Sequence, residues 1–483
     1  MKTIRTIATF SALGCAAATA AQERPNVLLI ITDQQRWDMV SALHESEFFS
    51  TPNIDRLARR GCCFDNTYCA NPISVPSRWA LFTGESTACF GIQDNTAPHS
   101  RKDDLLEVAR TRSLGALFRQ AGYRNYYAGK SHLPFGEGRS PGGDKAVNWQ
   151  FDHLTKDDRL GAVEASEAFF RNFRPDGRPF LFVVSLINPH DIGADKLVVV
   201  DNPRPEDNPQ SVKPAGINAL TYLPRIRELG DDYFRSDASG RLPSNFGPTD
   251  HHPQESVFRK GYGSYSELMW KKYIWFYHRL VEQVDAEIGR VLDAFESSPY
   301  AENTVVVFTS DHGDMMASHG LGKKNIMYGE CQRVPLILAG PGVQPRIDRT
   351  TPVCNGWDLV PTLCGVAGVP VPEQLDGVSL WDYACGRESA VRREHLYLEG
   401  SNAFEIIQDG RWAYVLYEMP GNPAVLFDLE NDPGQLHNLA PDPAYAAKVG
   451  ELRRILDQEL KKRGLTLSDN RPYSISGLVK NRK

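Results

Sequence analysis

Runs of consecutive apolar, mostly β-branched residues constrain the fold of this 483-residue chain more than any other feature. They cover residues 27–32, 180–187, 304–309 and, more weakly, 335–339. A strand without polar positions is buried on both faces, which is typical of sheets that helices cover on either side. Patterns with helical spacing lie between the runs, over residues 111–120 and most clearly over 273–295. The alternation predicts an α/β fold in which a large mixed sheet is flanked by helices.

Two regions depart from this alternation. Residues 191–265 are rich in Pro, Asp, Asn and Gly, and their low periodicity indicates a long surface insertion of the kind that often supplies substrate loops. Beyond them, short strand-like pieces, a turn at 431–434 and a helical pattern over 444–462 predict a smaller α+β subdomain. We therefore expect a main domain over residues 23–393 and a C-terminal α+β subdomain over residues 394–483.

The first 22 residues have the pattern of a secretory signal peptide. Lys2 and Arg5 form a basic start, residues 7–18 are apolar and small, and Ala18-Thr19-Ala20 fits the small-x-small cleavage rule. The apolar run is too short to span a bilayer, and no later segment is long and apolar enough to do so. We therefore expect a periplasmic or secreted protein. Leu13-Gly14-Cys15 resembles a lipoprotein cleavage box, so a lipid anchor is the alternative.

Polar residues follow three of the apolar runs and the short strand-like piece Tyr126-Tyr127-Ala128, at the point where each strand ends. They are Asp33-Gln34, Lys130 with His132, His190, and Asp311-His312. Ligands of open α/β sheets bind at the carboxyl ends of the strands, so these side chains are expected to converge on one crevice. For any one of them a turn cap is a sufficient explanation, because Asp, Asn and His are common in turns. Four strand ends together indicate a site.

Ser74 begins a second candidate feature, a short helix that ends before Gly84. Pro76 lies just inside the expected helix start, where proline is favoured. Ser74 would then lie at the N-terminal end of the helix, where free backbone N–H groups attract an anion. Arg78 follows one turn later. The local pattern fits a serine that attacks an anionic ester, and it fits equally a plain capped helix with an exposed arginine.

The segment from Ser74 to Gly84 resembles the serine form of the signature of the sulfatase family, within the alkaline-phosphatase-like superfamily. That signature is Cys or Ser, any residue, Pro, any residue, Arg, and a few residues ending in Thr-Gly. Further matches follow in order between about residues 24 and 465: Pro25-Asn26-Val27 into Asp33-Gln34, Pro52 to Leu57, Gly129 to His132, Asn188-Pro189-His190, Thr309 to Asp314, His319 to Glu330, and Leu426 to Leu439.

The resemblance implies that Ser74 is oxidised to formylglycine by a serine-type maturation enzyme. One hydroxyl of the hydrated aldehyde would attack sulfur and expel the alcohol, and loss of a proton from the other would then release sulfate. It also implies roles for five further residues. Arg78, Lys130 and Lys324 would stabilise developing charge, His132 would hold or deprotonate a hydroxyl of the hydrate, and His190 would protonate the leaving oxygen as a general acid.

A metal site is implied at Asp33, Gln34, Asp311, His312 and an oxygen of the modified Ser74. One divalent ion is expected, and calcium is the family's usual choice. This chain departs from the commoner Asp at position 34 and Asn at position 312, and the His312 nitrogen also suits manganese or zinc. Relatives that cleave phosphonate monoesters or phosphodiesters share the Asp-Gln and Asp-His arrangement. Such a hydrolase is therefore the first alternative, and a sulfated-glycan-binding protein without turnover is the second.

The expected substrate is a sulfated carbohydrate. An exported chain meets extracellular polymers, and a net charge of −6 shows no basic excess that would indicate nucleic-acid binding. The insertion carries residue types that stack on sugar rings or pair with sulfates: Tyr222, Arg225, Tyr233, Phe234, Arg235 and, expected at the pocket rim, His251 and His252. The alternative is that the insertion only covers the sheet. Residues 85–91 lack the histidine that family members often carry there.

Overall fold

A computed structural model describes residues 24–96, 98–135, 149–155, 161–174, 176–200, 214–388, 390–391 and 393–467. The predicted signal peptide and its lipoprotein-like box lie outside these residues, and so does the end of the predicted C-terminal subdomain. None of the helices in the described ranges combines the length and apolar character needed to cross a membrane.

The described chain contains strands that belong to three sheets. In chain order they are β1 (Asn26–Asp33), β2 (Cys62–Phe64), β3 (Thr67–Tyr68), β4 (Arg124–Gly129), β5 (Asp152–His153), β6 (Phe180–Pro189), β7 (Thr304–Ser310), β8 (Leu336–Ala339), β9 (Arg346–Asp348), β10 (Val353–Cys354), β11 (His395–Gly400), β12 (Ala403–Gln408), β13 (Trp412–Tyr417) and β14 (Ala424–Asp428).

The helices lie mainly between these strands in sequence. They are α1 (Pro52–Arg60), α2 (Ser74–Thr83), α3 (Lys102–Thr111), α4 (Leu114–Gln120), α5 (Ala162–Asn172), α6 (Lys196–Val199), α7 (Pro214–Arg235), α8 (Glu255–Tyr262), α9 (Glu267–Glu296), α10 (Gly329–Gln332), α11 (Asn355–Ala367), α12 (Trp381–Ala384) and α13 (Ala446–Lys462).

The main sheet has eight strands in the order β5-β4-β6-β1-β7-β8-β2-β9. The four apolar runs are β1, β6, β7 and β8, as predicted. Strand β1 is central and runs parallel to both β6 and β7, with Leu29 aligned with Val183 on one side and Val307 on the other. Strand β8 is antiparallel to β7, so the sheet is mixed. The expected α/β class with a large mixed sheet is confirmed.

Helices cover both faces of this sheet, which explains why its central strands contain no polar face. Leu29 and its neighbours on one face pack in a cluster with residues of α2, α3, α4 and α11. Leu28 and Ile30 on the other face pack with residues of α1, α5 and α9. Because alternate side chains of one strand enter different clusters, every position must be apolar.

The predicted helix over 273–295 is confirmed as the middle of α9, which begins at Glu267, where Ser266 accepts a hydrogen bond from the Met269 N–H. The prediction of one helix over residues 111–120 is wrong at its first residues, because the helix there begins at Leu114. Helix α3 ends at Thr111, and Ser113 caps the separate helix α4 by accepting from the Ala116 N–H at 3.2 Å. A serine N-cap ends one helix and begins the next.

The described part of the insertion over 191–265 is largely helical, which the low periodicity did not predict. It contains α6, α7 and α8, and Gly230 interrupts α7 with a φ of 69°. Phe234 is 0% exposed and packs edge-on against Trp275, while His252 is 2% exposed and lies 2.5 Å from the Tyr417 hydroxyl. The expectation that these two residues contact a sugar is therefore wrong, because neither ring is accessible.

Strands β11 to β14 form a four-stranded antiparallel sheet in the C-terminal region. Helix α13 packs on it through Leu452, Leu456 and Leu460. The sheet is joined to the rest of the molecule by a shared apolar cluster that includes Tyr328 and by a 2.7 Å hydrogen bond from the Trp357 indole to the Tyr397 carbonyl. This sheet therefore packs directly against α11 and against the segment between β7 and β8 that contains Tyr328.

Glu405 in β12 is fully buried, and this makes the stability of the fold depend on pH. Burial raises the pKa of Glu405 to about 8, although its carboxyl accepts a hydrogen bond from Gln332 Nε2. Between the pKa of an unfolded glutamate and about pH 8, the folded state keeps a proton that the unfolded chain has lost. The free energy of unfolding should fall by up to about 1.4 kcal/mol per pH unit as the pH rises through this window.

We predict that Glu405→Gln removes most of this slope, because the amide has no proton to lose. Thermal unfolding at pH 5, 6.5 and 8 should show the variant gaining on the wild type as the pH rises. Glu430→Gln is the matched control, since its side chain is 65% exposed. Parallel pH profiles for wild type and Glu405→Gln would contradict the assignment.

Candidate active site

The carboxyl ends of the parallel strands β1, β4, β6 and β7 bring the predicted polar residues to one edge of the sheet. Asp33 ends β1, and Asp311 follows β7 directly. Lys130 follows β4, and its Nζ lies 2.5 Å from Asp33 Oδ2. Convergence of the strand ends is what the sequence predicts, and for these three residues the contacts confirm it.

Helix α2 brings Ser74 to the same place. Ser74 is the first helical residue, and the helix ends at Gly84, whose φ is 70°. Ser74 Oγ lies 3.0 Å from His312 Nε2 and 3.1 Å from Lys324 Nζ, and the last two atoms are 3.0 Å apart. The serine oxygen therefore lies between a cation and an imidazole nitrogen, at a helix N-terminus that favours negative charge.

Arg78 lies one turn further along α2, is 0% exposed, and is held beneath this edge rather than at its surface. Its Nη2 donates to Asp33 Oδ2 at 3.0 Å and its Nε donates to Asp311 Oδ2 at 2.9 Å. Its Nη1 donates to the Lys130 carbonyl and to Ser185 Oγ, both at 2.9 Å. The planar guanidinium thus fixes the two carboxylates relative to each other and to the helix that carries Ser74.

The buried charges shift one another's ionisation. Burial opposes ionisation of Asp33, but Lys130, His190, Lys324 and Arg78 outweigh it and lower the pKa of Asp33 well below its usual range. Burial and the neighbouring Asp33 carboxylate raise the pKa of Asp311, although Arg78 opposes them. The site therefore holds two carboxylates at close range, an arrangement that a further cation would stabilise.

Asp33, Asp311 and His312 fit a divalent cation. Their ligand atoms all lie within 4.8 Å of one another, and all three residues are buried. His312 Nδ1 lies 3.0 Å from the Gly313 carbonyl, an arrangement that makes Nδ1 the donor and leaves Nε2 as a ligand. Asp33 Oδ1 is buried with no hydrogen-bond partner among the described groups. Lys324 Nζ is 3.8 Å from this oxygen, beyond hydrogen-bond distance, and a buried carboxylate oxygen that accepts no hydrogen bond from the protein fits the role of a metal ligand.

Gln34 is held beside this cluster by Asp311 and by three residues that the sequence analysis did not assign to the site, Asp314, Tyr273 and Tyr277. Its Nε2 donates to Asp314 Oδ2 at 2.6 Å, and its backbone N–H donates to Asp311 Oδ1 at 3.0 Å. Asp314 also accepts from the Tyr273 hydroxyl at 3.1 Å, and the Tyr277 hydroxyl donates to the Gln34 carbonyl at 2.6 Å. With its N–H group directed at Asp314, the Gln34 amide has its oxygen available for a metal ion.

Tyr273 and Tyr277 lie four residues apart on α9, a spacing that is typical of apolar core positions. The sequence pattern therefore did not indicate that their hydroxyls bond to polar groups of the site. The signal available in the sequence was Asp314 itself, which closes the motif that begins at Thr309.

His132 and His190 lie in the outer part of the site. His132 has a φ of 46°, and its buried Nδ1 has no hydrogen bond to any group in the described ranges. The His190 side chain is 30% exposed, with Nδ1 4.0 Å from Asp191 Oδ1. Burial, reinforced by Lys130, lowers the pKa of both imidazoles. Both rings are therefore neutral at pH 7 before an anion binds, and an anionic ligand would raise their pKa values.

Lys324 and Lys130 supply the cationic wall of the site. Burial and repulsion from Lys130 lower the pKa of Lys324 to about 8, against the attraction of Asp33. Lys324 is therefore still charged at neutral pH. Arg78, Lys130 and Lys324 meet the three carboxylates of Asp33, Asp311 and Asp314 here, so a bound divalent cation would leave the site with a net positive charge that favours an anion.

Two family models match the chain. The model described as sulfatase matches residues 25–369, and the model described as N-sulphoglucosamine sulphohydrolase, C-terminal, matches residues 317–462. The Delta 4,5-hexuronate-2-O-sulfatase of Bacteroides thetaiotaomicron is 30% identical over 478 residues, covering 93% of this chain and 91% of that protein. These matches confirm the resemblance that the sequence motifs indicate.

Solved structures agree with this assignment. A 2-O GAG sulfatase superimposes with a TM-score of 0.72 at 26% identity, covering 93% of this chain and 95% of that chain. The phosphonate monoester hydrolase of Agrobacterium radiobacter has a TM-score of 0.67 at 21% identity, covering 91% of this chain and 96% of that chain. The second match shows the shared fold alone.

We predict that Asp314→Ala weakens metal binding by about 10- to 100-fold, because the variant no longer orients the Gln34 amide. The measurement is the rise in melting temperature as Ca²⁺ is titrated into chelator-treated protein. Asp314→Asn should have a smaller effect, since it keeps one acceptor oxygen. Tyr273→Phe keeps the carboxylate and serves as the matched control. A Ca²⁺ titration of Asp314→Ala that overlays the wild type would contradict the positioning role.

Proposed function

We propose that this chain, which belongs to the sulfatase family of sulfuric ester hydrolases, removes sulfate from a carbohydrate with Ser74 as its reactive position and a bound divalent metal. The observation that carries the proposal is the placement of Ser74 Oγ within 3.1 Å of both His312 Nε2 and Lys324 Nζ. A serine that only capped the helix would not need a half-buried lysine and a buried imidazole at its hydroxyl.

Sulfatases use a formylglycine at the signature position, and we propose that Ser74 is converted to it by a serine-type maturation enzyme. The hydrated aldehyde would supply the attacking oxygen and a second hydroxyl whose deprotonation allows sulfate to leave. Lys324 lies at hydrogen-bond distance from the side-chain oxygen and would hold it in its charged form. The N-terminus of α2 would add to this stabilisation.

Asp33, Gln34, Asp311 and His312 would hold the metal, together with the oxygen carried by residue 74. Three or four oxygen ligands suit calcium, and the single nitrogen ligand also suits manganese or zinc. A bound dication would polarise the sulfate oxygens and favour the ionised nucleophile. Asp33 Oδ1, which accepts no hydrogen bond within the described chain, supports this set of ligands.

Lys130, Lys324 and the two outer histidines would act on the sulfate and the leaving group. The lysines would neutralise the charge that develops on the sulfate oxygens. His132 would accept a proton from a hydroxyl on residue 74, and His190 would protonate the departing sugar oxygen. Sulfate binding would raise the pKa of His190 towards the range in which it can serve as an acid. Arg78 would act through the carboxylates that it holds.

A sulfated carbohydrate is the substrate class that the relatives support. The 30% identical protein is a hexuronate-2-O-sulfatase, and the superimposed structure is a 2-O GAG sulfatase. Export to the periplasm or beyond, with a signal peptide over residues 1–22, would bring the enzyme to such polymers. A phosphonate or phosphodiester hydrolase is the second candidate, because Gln34 and His312 replace the commoner sulfatase residues.

The first test is sulfate release by protein produced together with a serine-type maturation enzyme. We predict turnover of at least one member of a panel of monosulfated glycosaminoglycan disaccharides, and loss of two hydrogens from the peptide that contains Ser74. Ser74→Ala should reduce kcat by at least about 10³-fold, because the covalent route is lost. A higher kcat/KM for a phosphodiester or a phosphonate monoester would favour the second candidate. Full activity with unmodified Ser74 would contradict the mechanism.

The second test distinguishes a role of His190 in protonating the leaving group from a role in binding the substrate. We predict that His190→Ala lowers kcat/KM for a sugar sulfate by about 10²- to 10⁴-fold, because a sugar alkoxide leaves poorly without a proton. The loss for 4-nitrophenyl sulfate should be less than about tenfold, since that leaving group departs as a stable anion. His437→Ala, whose side chain is 76% exposed, is the control. Equal losses for both substrates would rule out proton donation by His190.

A further inference from the structure

The segment after α2, which lacks the histidine often found there, is fastened to the C-terminal sheet by a buried carboxylate. Glu399 of β11 is 1% exposed and accepts from the Thr87 N–H at 2.8 Å, the Thr87 hydroxyl at 2.6 Å and the Ala88 N–H at 3.0 Å. Because one carboxylate fixes the segment in several directions, the chain that follows it has a defined position against the β11–β12 turn.

A small polar cavity lies between that chain and the turn. Its volume is about 160 Å³, and Gln93, Asp94 and Thr96 face Ser401 and Asn402 across it. This is below the roughly 300 Å³ of pockets that hold drug-sized ligands, so it suits a single ring or part of one. One wall belongs to the main fold and the other to the C-terminal sheet.

Both walls of this cavity are tied to the residues that surround Ser74. Asn95 lies between the cavity residues Asp94 and Thr96. Its side-chain oxygen accepts a 3.0 Å hydrogen bond from the backbone N–H of Val75, which follows Ser74 directly. On the other wall, Ser401 Oγ donates to Asn325 Oδ1 at 2.7 Å, and Asn325 follows Lys324 directly. The cavity is therefore joined to the reactive serine and to its lysine through one residue on each side.

The groups that line the cavity are suited to hydroxyl or acetamido groups. Asn402 is 4% exposed, and its side-chain amide and that of Gln93 line the cavity. Ser401 Oγ already bonds to the Gln93 carbonyl at 2.6 Å and to Asn325 Oδ1 at 2.7 Å, so towards a ligand it can only accept. The lining contains no lysine or arginine, and the Asp94 carboxylate would repel a second anion. A side-chain amide that lines a polar cavity can both donate to and accept from a hydroxyl or acetamido group.

We propose that this cavity binds an uncharged sugar unit next to the sulfated one, with the Asn402 and Gln93 amides as its hydrogen-bonding groups. This inference rests on the proposed carbohydrate sulfatase function. The substrate would then contain at least two sugar units. The unit in the cavity would carry neither sulfate nor carboxylate on the side that faces the cavity walls. Hydrogen-bonding sites discriminate strongly against ligands that leave their buried polar groups unpaired.

The test uses Asn402→Gly, because Asn402 has a φ of 54° that glycine adopts without strain. We expect the ratio of kcat/KM for a monosulfated disaccharide to that for 4-nitrophenyl sulfate to fall at least tenfold, with Gln93→Ala giving a smaller fall. The matched control is Asn422→Gly, an asparagine with a φ of 42° in the β13–β14 connection, which should keep the wild-type ratio. An unchanged ratio in Asn402→Gly would overturn the proposal.

Direct binding separates this proposal from the proposed function. Saturation-transfer NMR with the desulfated disaccharide should show binding to the wild type and to Asn422→Gly, and a signal at least several-fold weaker with Asn402→Gly. If the wild type does not bind the neutral disaccharide, the cavity assignment is wrong even when sulfate is released. If the wild type prefers a phosphodiester but binds the neutral sugar, the reaction assignment fails and the cavity assignment stands.

Discussion

The arrangement of the site depends on the ion pairs that the buried Arg78 guanidinium makes with Asp33 and Asp311. Asp33 and Asp311 follow neighbouring parallel strands, so their carboxylates meet at close range with no exposed surface. Arg78 donates to both, and breaking such a buried pair costs about 3–5 kcal/mol because a charge is left unpaired. Since Arg78 and Ser74 lie one turn apart on α2, the same contact that pairs the carboxylates also positions Ser74 next to them.

The fold could be predicted because its strongest constraint is local. Residues 27–31 and 305–308 are apolar at every position, which indicates a sheet covered on both faces. The polar residues that follow such strands are expected to meet at one edge of that sheet. Asp33, Lys130, Asp311 and His312 were therefore predictable as a group. Helix boundaries were less predictable, because a single residue such as Ser113 ends one helix and caps the next.

The parts of the site that the sequence analysis missed depend on contacts between distant segments. Tyr273 and Tyr277 have the spacing of core residues, and only the packing of α9 beneath β1 brings their hydroxyls to Asp314 and Gln34. Glu399 lies 312 residues from Thr87, yet it fixes the segment that borders Ser74. The insertion gave the opposite error, since its aromatic residues suggested a sugar surface and Phe234 instead packs inside. Residue types alone do not distinguish a binding surface from an apolar core.

The proposed reaction requires a divalent cation beside Ser74, held by Asp33, Gln34, Asp311 and His312. The most direct measurement is the metal content of active wild-type protein by elemental analysis, made on the same sample whose sulfate release is assayed. The structure predicts about one divalent ion per chain, with activity that falls as a chelator removes the ion and returns when the ion is restored. A metal-free preparation that retains full activity would contradict it.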